Sequence, residues 1–300
     1  MKKTVIILAL FAIATTFVSS VYGQESDNLF TRLQGITYQG AQSFNVDGIK
    51  ITSQKLGVEF SPRNCELWFF ELKIKENELT TSDSLLNFRN FYVFKSEEEF
   101  QNIFRNRSYY FVESPDNKLI AFLFTSVNKN DREFQRNFIE LVRNDLIPEN
   151  IYHSFAIDSV NFAGRKIQLS KSCRWMEINN IQDPGHGQIN WSIHKDLEDA
   201  LSTTENYYVS TKLKEGTELV SDYFVDVIFE GIETQARKVV YDTAGAIGHL
   251  ITSGSTKLII YYVSVPLRGN FVSCVMSFWE SDPVETGGLP RLLTQVMRLK

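Results

Sequence analysis

The chain has 300 residues, of which 43% are hydrophobic, 22% charged and 13% aromatic, and its 31 Lys and Arg against 36 Asp and Glu give a net charge of −5. This composition is typical of a globular protein and excludes disordered, collagen-like and coiled-coil chains. A mildly acidic chain also lacks the basic surface that binds duplex nucleic acid, so we expect no nucleic-acid partner.

The first 23 residues have the pattern of a secretory signal peptide. Two lysines follow Met1, residues 5–18 are mainly apolar, and Gly23 supplies a small residue before a cut at Gln24. The apolar segment is too short to span a bilayer comfortably, and no later segment approaches roughly 18 apolar residues. We therefore predict export to the periplasm or the cell exterior, with no transmembrane anchor once the leader is removed.

The first half of the mature chain predicts strands and two helices. The predicted strands, rich in aromatic and β-branched residues, are Cys65–Ile74, Phe88–Phe94 and Lys118–Val127. Ser96 and Glu99 form a capping box, which predicts a helix over residues 96–104. Apolar residues at helical spacing from Phe134 to Val142 predict a second helix, with Asn130 or Asp131 placed to cap its start.

Pro148 marks the clearest domain boundary, because proline cannot continue the hydrogen-bond ladder of the preceding helix. We predict two domains of similar size, residues 24–147 and 148–300. The predicted strands of the second are Arg165–Leu169, Gln188–His194, Tyr223–Phe229, Arg237–Tyr241, Lys257–Val265 and Phe271–Trp279. A helical stripe over residues 289–299 predicts a terminal amphipathic helix. The fold class that follows is α+β, with antiparallel sheets flanked by helices in two α/β sandwich units.

The two halves share short sequence echoes in the same order. Val46–Gln54 is similar to Phe162–Ser170, and Asn117–Phe124 is similar to Thr256–Val263. Each match consists of a few residues that are common in strands, so the sequence leaves open whether the halves arose by duplication.

The layout of the second half resembles a known family. Residues 164–175 lead into alternating strands and end in a Trp, and a hairpin over Leu258–Trp279 precedes the terminal stripe. This layout is similar to the PsbP/DcrB-like α/β sandwich over about residues 151–300, although Ser172-Cys173-Arg174 departs from the family's usual approach to that Trp. The resemblance implies an exported accessory or binding role, and it carries over no functional residues and no cofactor.

The three cysteines form an odd set, so at most one internal disulfide can form. Cys65 and Cys173 share a polar setting with a Trp close behind, and the sequence leaves open whether they pair. Cys274 lies inside an apolar run, which predicts a buried, unreactive thiol.

The densest group of metal-binding residue types lies over residues 183–194. Asp183, His186 and His194 include the side chains that zinc prefers. The alternative is a Pro-Gly turn that leads into a strand, whose alternation buries the isoleucines and Trp191 and leaves His194 on the solvated face. Because the usual His-x-x-x-His and Cys-x-x-Cys spacings are absent, we favour the turn and assign no metal site.

No catalytic motif is complete in this sequence. The Gly-x-Ser-x-Gly elbow is absent, and Gly245–Gly248 with His249 lacks the Walker spacing and its Lys. Glu97–Glu99 fall in the first turn of a predicted helix, where carboxylates complement its positive end. A glycosidase pair stays open, because its two carboxylates need not be close in sequence. We assign no catalytic or cofactor-binding residue.

Three segments match the Asp-Ser/Thr-apolar pattern at which some bacteria attach O-glycans to exported proteins. The candidate acceptors are Ser84, Ser159 and Thr243, and our hypothesis favours Ser84. Three matches are a mild excess over chance for so short a pattern.

Together these features favour a non-enzymatic accessory or binding protein of the bacterial periplasm or cell surface, whose partner is a protein or an envelope polymer. The alternative is a hydrolase of cell-envelope polymer with a site assembled only in the fold. A concave cluster of Asp183, His186 and a distant acid would favour the hydrolase. A third interpretation is an obligate oligomer that buries the Phe- and Tyr-rich faces.

Overall fold

The computed structural model describes residues 29–38, 40–69, 81–153, 158–243 and 256–300. The predicted signal peptide lies outside these residues, as do Phe70–Ile74 and Gly245–His249. Within them the fold is α+β and is built mainly of antiparallel sheet, as predicted. No helix in these ranges is long and apolar enough to cross a membrane.

The first half forms a seven-stranded sheet, the first sheet, with strand order β4-β5-β6-β3-β2-β1-β7. Its pairs are antiparallel except β1 with β7. The elements are α1 (Leu29–Arg32), β1 (Gln34–Tyr38), β2 (Ala41–Val46), β3 (Ile49–Glu59), α2 (Pro62–Phe69), β4 (Asn90–Phe100), β5 (Ile103–Glu113), β6 (Lys118–Val127), α3 (Arg132–Arg143), a 3-10 turn (Glu149–Ile151) and β7 (Tyr152–His153).

The second half forms an eight-stranded antiparallel sheet, the second sheet, with strand order β10-β11-β12-β16-β15-β14-β13-β17, and a separate hairpin of β8 and β9. The elements are β8 (Ser159–Phe162), β9 (Arg165–Gln168), β10 (Arg174–Glu177), β11 (Asn180–Asp183), β12 (Gly187–His194), α4 (Leu197–Lys212), β13 (Glu218–Phe229), β14 (Ile232–Asp242), β15 (Lys257–Leu267), β16 (Asn270–Trp279), a 3-10 turn (Leu293–Gln295) and β17 (Met297–Leu299).

The helix α3 covers one face of the first sheet, and its prediction is confirmed. The Asp131 side chain caps it by accepting a hydrogen bond from the Phe134 amide at 2.9 Å. On its buried side, Phe138 packs edge-on against Phe44 of β2, with ring centroids 5.1 Å apart. This contact leaves the opposite face of the sheet for other partners.

The predicted helix over residues 96–104 is wrong, because this segment forms the hairpin of β4 and β5. The turn places Asn102 in the left-handed region at φ 64°. Glu97 then pairs with Arg107, and Glu99 with Arg105, each at 2.6 Å across the two strands. The acidic residues that suggested a capping box therefore serve cross-strand pairing.

The described part of the predicted strand Cys65–Ile74 is also wrong, because it lies in α2. Pro62 stands in the first turn of this helix, where its missing N–H costs nothing. The Ser61 hydroxyl accepts a hydrogen bond from the Asn64 amide at 3.2 Å, which caps the helix. Cys65 is fully buried in a small core against the first sheet.

The predicted terminal helix over residues 289–299 is wrong as well. The apolar residues of the stripe are buried as expected, but Met297–Leu299 pair with Val227–Phe229 as strand β17. Pairing with an open sheet edge outweighed a helical pattern of only three turns. The burial pattern was thus predictable, but the backbone conformation was not.

The echoed segments differ in their sheet context. Val46–Gln54 and Phe162–Ser170 both contain a hairpin turn in which two residues have positive φ, Asp47-Gly48 and Ala163-Gly164. However, β3 continues into a pairing with β6, whereas β9 pairs only with β8 within the described residues. The likeness of these two echoed segments therefore extends to the turn type and not to their place in a sheet.

Candidate ligand cleft

A cleft of about 530 Å³ lies between the first sheet and α4. Its sheet wall is the face opposite α3, because Lys50 and Thr52 alternate along β3 with Ile49 and Ile51, which are buried. Its helix wall is the flank of α4 that carries Ser202, Thr203, Asn206, Tyr207 and Ser210. The cleft thus brings together residues that lie about 150 positions apart in the chain.

Helix α4 was missed by the sequence analysis. Its Thr- and Tyr-rich composition has low helix propensity, but Asp196 caps it by accepting a hydrogen bond from the Asp199 amide at 2.8 Å. The spacing of Ala200, Thr204 and Tyr208 places one buried face on the second sheet. The cap and this spacing were the signals that could have identified the helix.

The turn between β2 and β3 joins the two sheets at the base of the cleft. The Asp47 amide donates to the Ile193 carbonyl at 3.0 Å, and the Asp47 carboxylate accepts from the Lys195 amide at 3.0 Å and from Arg32 at 2.9 Å. Burial raises the pKa of the Asp47 carboxyl, and the Arg32 guanidinium opposes that rise. Two hydrogen bonds therefore hold the turn to the end of β12, and the ion pair with Arg32 holds it to α1.

His194 lies beneath this turn and is fully buried. Its Nε2 is 2.9 Å from the Ser273 hydroxyl, and its Nδ1 has no hydrogen-bond partner among the described residues. Burial lowers the pKa of His194 to about 4, so the ring is neutral near pH 7. The prediction that His194 faces solvent is wrong, because α4 and the Gly48 turn cover that face of β12.

The charged groups around the cleft already have partners. Besides Asp47 with Arg32, the ion pairs are Lys50 with Glu177, Glu99 with Arg105 and Lys129 with Asp199. Within the described part of the chain, each cleft-lining charge is therefore balanced by an opposite one. The cleft has polar walls but little uncompensated charge.

Several hydroxyl groups that line the cleft are free to bind a ligand. The side chains of Thr52 and Thr125 on the sheet wall, and of Ser202, Thr203 and Ser210 on the helix wall, make no hydrogen bond within the described ranges. Phe100 and Tyr207 add aromatic surface. The arrangement provides hydroxyl donors and acceptors from two opposed walls.

The predicted group at residues 183–194 does not form one site. Asp183 and His194 lie at opposite ends of the β11–β12 segment. The Asp183 carboxylate is buried and accepts from Ser170 at 2.8 Å and Ser172 at 2.6 Å, with Arg291 at 3.4 Å. The amide of His186 donates to the Asp183 carbonyl, which makes the predicted turn. No group of three His, Cys, Asp or Glu in the described ranges could hold a metal ion.

All three cysteines are free thiols, and the Cys65–Cys173 disulfide that the sequence left open is not formed. The two residues belong to separate cores. Cys274 is fully buried as predicted, and burial raises the pKa of its thiol.

The three glycan candidates differ in exposure. Ser84 is exposed in a turn, whereas the hydroxyls of Ser159 and Thr243 are half-buried and donate to Asp158 and to the Thr256 carbonyl at 2.8 Å each. Ser84 is the most accessible acceptor of the three.

Comparisons with known proteins give no family for this chain. No protein-family model matches it, and no curated protein matches it. One solved structure that matches is the crystal structure of the di-domain ARO/CYC StfQ from the steffimycin biosynthetic pathway. It has 11% sequence identity, covers 82% of this chain and 73% of that chain, and gives a TM-score of 0.16. A likeness at this score carries no inference about fold or function.

Proposed function

We propose that this protein is an exported, non-enzymatic binding protein whose cleft takes a neutral ligand rich in hydroxyl groups, such as an oligosaccharide of the cell envelope. One observation carries this proposal. Hydroxyl groups without intramolecular partners face each other across the cleft, while the charges around them are paired.

The chemistry of the walls suits such a ligand. Each hydrogen bond between a cleft hydroxyl and a sugar hydroxyl contributes about 1 kcal/mol net, so several are needed for useful affinity. Phe100 and Tyr207 offer apolar faces for the C–H surface of a sugar ring. A cleft between two structural units is also a common place for a ligand site.

The same contacts favour binding over catalysis. Glycoside hydrolysis needs two carboxyl groups that can exchange protons or attack the sugar. The carboxylates that line the cleft, Asp47 and Glu99, are each held by an arginine. Asp183, which would support a hydrolase together with His186, is engaged by two serines away from the cleft. We therefore keep the envelope-polymer hydrolase as the alternative.

The wider architecture is part of the same proposal. We propose a signal peptide over residues 1–23 and two sandwich units that meet at the cleft. Their predicted bounds are 24–147 and 148–300, although β7 (Tyr152–His153) pairs with β1 of the first sheet. The packing of α4 on the second sheet supports a PsbP/DcrB-like second unit, although the strand β17 departs from the terminal helix of that layout. An accessory role in the periplasm or at the cell surface follows from this resemblance.

The test is binding of the mature chain from Gln24 to an array of neutral and acidic envelope oligosaccharides, followed by calorimetry. We expect a neutral oligosaccharide to bind, and the double variant Thr203→Val with Ser210→Ala to weaken it at least fivefold. Thr211→Val is the matched control, since it lies on α4 outside the cleft. Binding only of acidic sugars, or equal binding by the double variant, would contradict the proposal. Release of sugar fragments would favour the hydrolase.

A further inference from the structure

The edge of strand β13 is largely unpaired. Only Val227–Phe229, at the end of this strand, pair with β17, and the Lys300 amide donates to the Asp226 carbonyl at 3.2 Å. From Glu218 to Val225 this edge has no strand partner within the described residues. An open edge presents a row of backbone donors and acceptors that can pair with another chain.

The open part of β13 is also unusually apolar for an exposed strand. Leu219, Val220, Tyr223 and Phe224 are each at least 40% exposed, and Phe224 reaches 64%. On the side of α4, Phe224 borders a groove of about 730 Å³ together with Leu197 and Leu201. Proteins usually protect such edges with lysine or proline, and β13 contains neither.

The strand that pairs with one end of this edge indicates which residue types a partner strand can have. The segment seated there is Met297-Arg298-Leu299 followed by Lys300, in which apolar and basic residues alternate. Lys300 also forms an ion pair with Glu233 of β14 at 2.8 Å. The open part carries Glu218 and Asp222 and no basic residue. Arg237 of β14 already holds the Asp222 carboxylate at 2.8 Å, so Glu218 is the carboxylate of the open part that has no ion-pair partner within the described residues.

We propose that β13 is a docking edge for an extended segment of a partner protein in which apolar and basic residues alternate. The segment adds antiparallel to Glu218–Val225, in line with β17. Main-chain hydrogen bonds give affinity. In the register of β17 the basic row lies on the side of Phe224 and reaches the groove beside it, where Glu198 has no ion-pair partner within the described residues, and the apolar row lies on the side of Tyr223. The strand edge lies outside the cleft, although its groove shares Ser202 of α4 with the cleft, and the proposal does not depend on the ligand proposed for the cleft.

The test uses a synthetic twelve-residue peptide that repeats Met-Arg-Leu-Lys, with a control peptide in which Glu replaces each basic residue. We expect the basic peptide to bind the mature chain and to slow amide hydrogen exchange in residues 218–225 at least tenfold. We also expect the acidic peptide to bind at least tenfold more weakly. No binding of the basic peptide, or protection that falls outside residues 218–225, would overturn the proposal.

Two variants locate the site without disturbing the core. Val220→Lys and Phe224→Lys place a charge on exposed positions of the edge, and we expect each to lower peptide affinity at least tenfold. Leu146→Lys is the matched control, since Leu146 is 57% exposed but lies in the first half of the chain. Unchanged affinity in both edge variants would overturn the proposal. So would a dimer that Val220→Lys dissociates without any peptide binding, because the edge would then serve a second copy.

Discussion

The two walls of the cleft are held in different ways. The sheet wall ends in the Asp47-Gly48 turn, which an ion pair with Arg32 ties to α1 and which two hydrogen bonds with Ile193 and Lys195 tie to the end of β12. The helix wall rests on the second sheet through buried Tyr208 and through the Thr204 hydroxyl, which lies 3.0 Å from that of Ser264. The position of the first wall therefore depends on charge and turn geometry, and that of the second on packing.

Removal of the Asp47 carboxylate should give the largest effect. In Asp47→Gly the turn keeps its positive φ without strain, but Arg32, which is 4% exposed, loses the Asp47 carboxylate. We expect unfolding by urea to show a loss of roughly 3 kcal/mol. A loss of this size would show that the ion pair between Asp47 and Arg32 stabilises the turn at the end of the sheet wall.

A surface pair supplies the control for this variant. Asp116 pairs with Lys55, and both side chains are more than half exposed, so Asp116→Gly should cost much less. Asp47→Asn should fall between the two, because its amide oxygen still accepts from the Lys195 amide. Equal losses for Asp47→Gly and Asp116→Gly would show that the buried pair does not fix the wall.

Acidification should loosen the contact between the walls through His194. Its pKa falls from 6.5 to about 4 in the folded protein, so the unfolded chain binds the proton first as the pH drops. The contribution of His194 is thus complete above pH 6.5 and is lost as the pH falls toward 4, by up to about 3 kcal/mol. Urea unfolding between pH 5 and 7 measures this slope.

Two variants test whether His194 causes the slope. His194→Gln keeps a polar group near Ser273 but cannot titrate, and it should flatten the slope over this range. Thr203→Val changes a neighbour of the Gly48 turn without removing a proton site, and it should leave the slope intact. A slope that survives in His194→Gln would assign the pH dependence to other groups.

Local patterns in the sequence were enough to predict some of the helices and strands. Helix α3 was predictable from its cap and its apolar spacing, and Lys118–Val127 was predicted as a strand with both ends correct. Residues 96–104 show the limit of such signals. Ser96 and Glu99 have the spacing of a capping box, but the segment forms a strand. There Glu99 and Glu97 form ion pairs with Arg105 and Arg107 of the next strand. Cross-strand contacts decided the conformation.

The cleft could not be predicted for a related reason. Thr52 and Thr203 face the same space only because the second sheet positions α4 against the first. The strand alternation of β12 correctly assigned His194 to the face opposite Trp191. The alternation could not show that α4 and the turn at Gly48 bury that face. The sequence of β12 does not determine which other elements of the fold pack against it.

The smallest expected change in stability comes from Gly48→Ala, which alters the distance between the two walls of the cleft. Gly48 has φ 74°, and a Cβ there would lie 3.1 Å from the Thr203 hydroxyl oxygen and 3.4 Å from the His194 ring. Gly48→Ala should therefore cost about 1–2 kcal/mol for the backbone and also push the helix wall outward. Urea unfolding and calorimetry with the cleft ligand measure the two consequences.

Gly231→Ala separates backbone strain from contact between the walls. Gly231 has a similar φ of 86°, but a Cβ there meets nothing within 4 Å. Both variants should lose similar stability from the backbone, whereas only Gly48→Ala should also lose ligand affinity, by several fold. If Gly231→Ala lowers affinity as much, the change reflects general loosening of the fold. If neither does, the helix wall adjusts to the added methyl group and is the more compliant of the two.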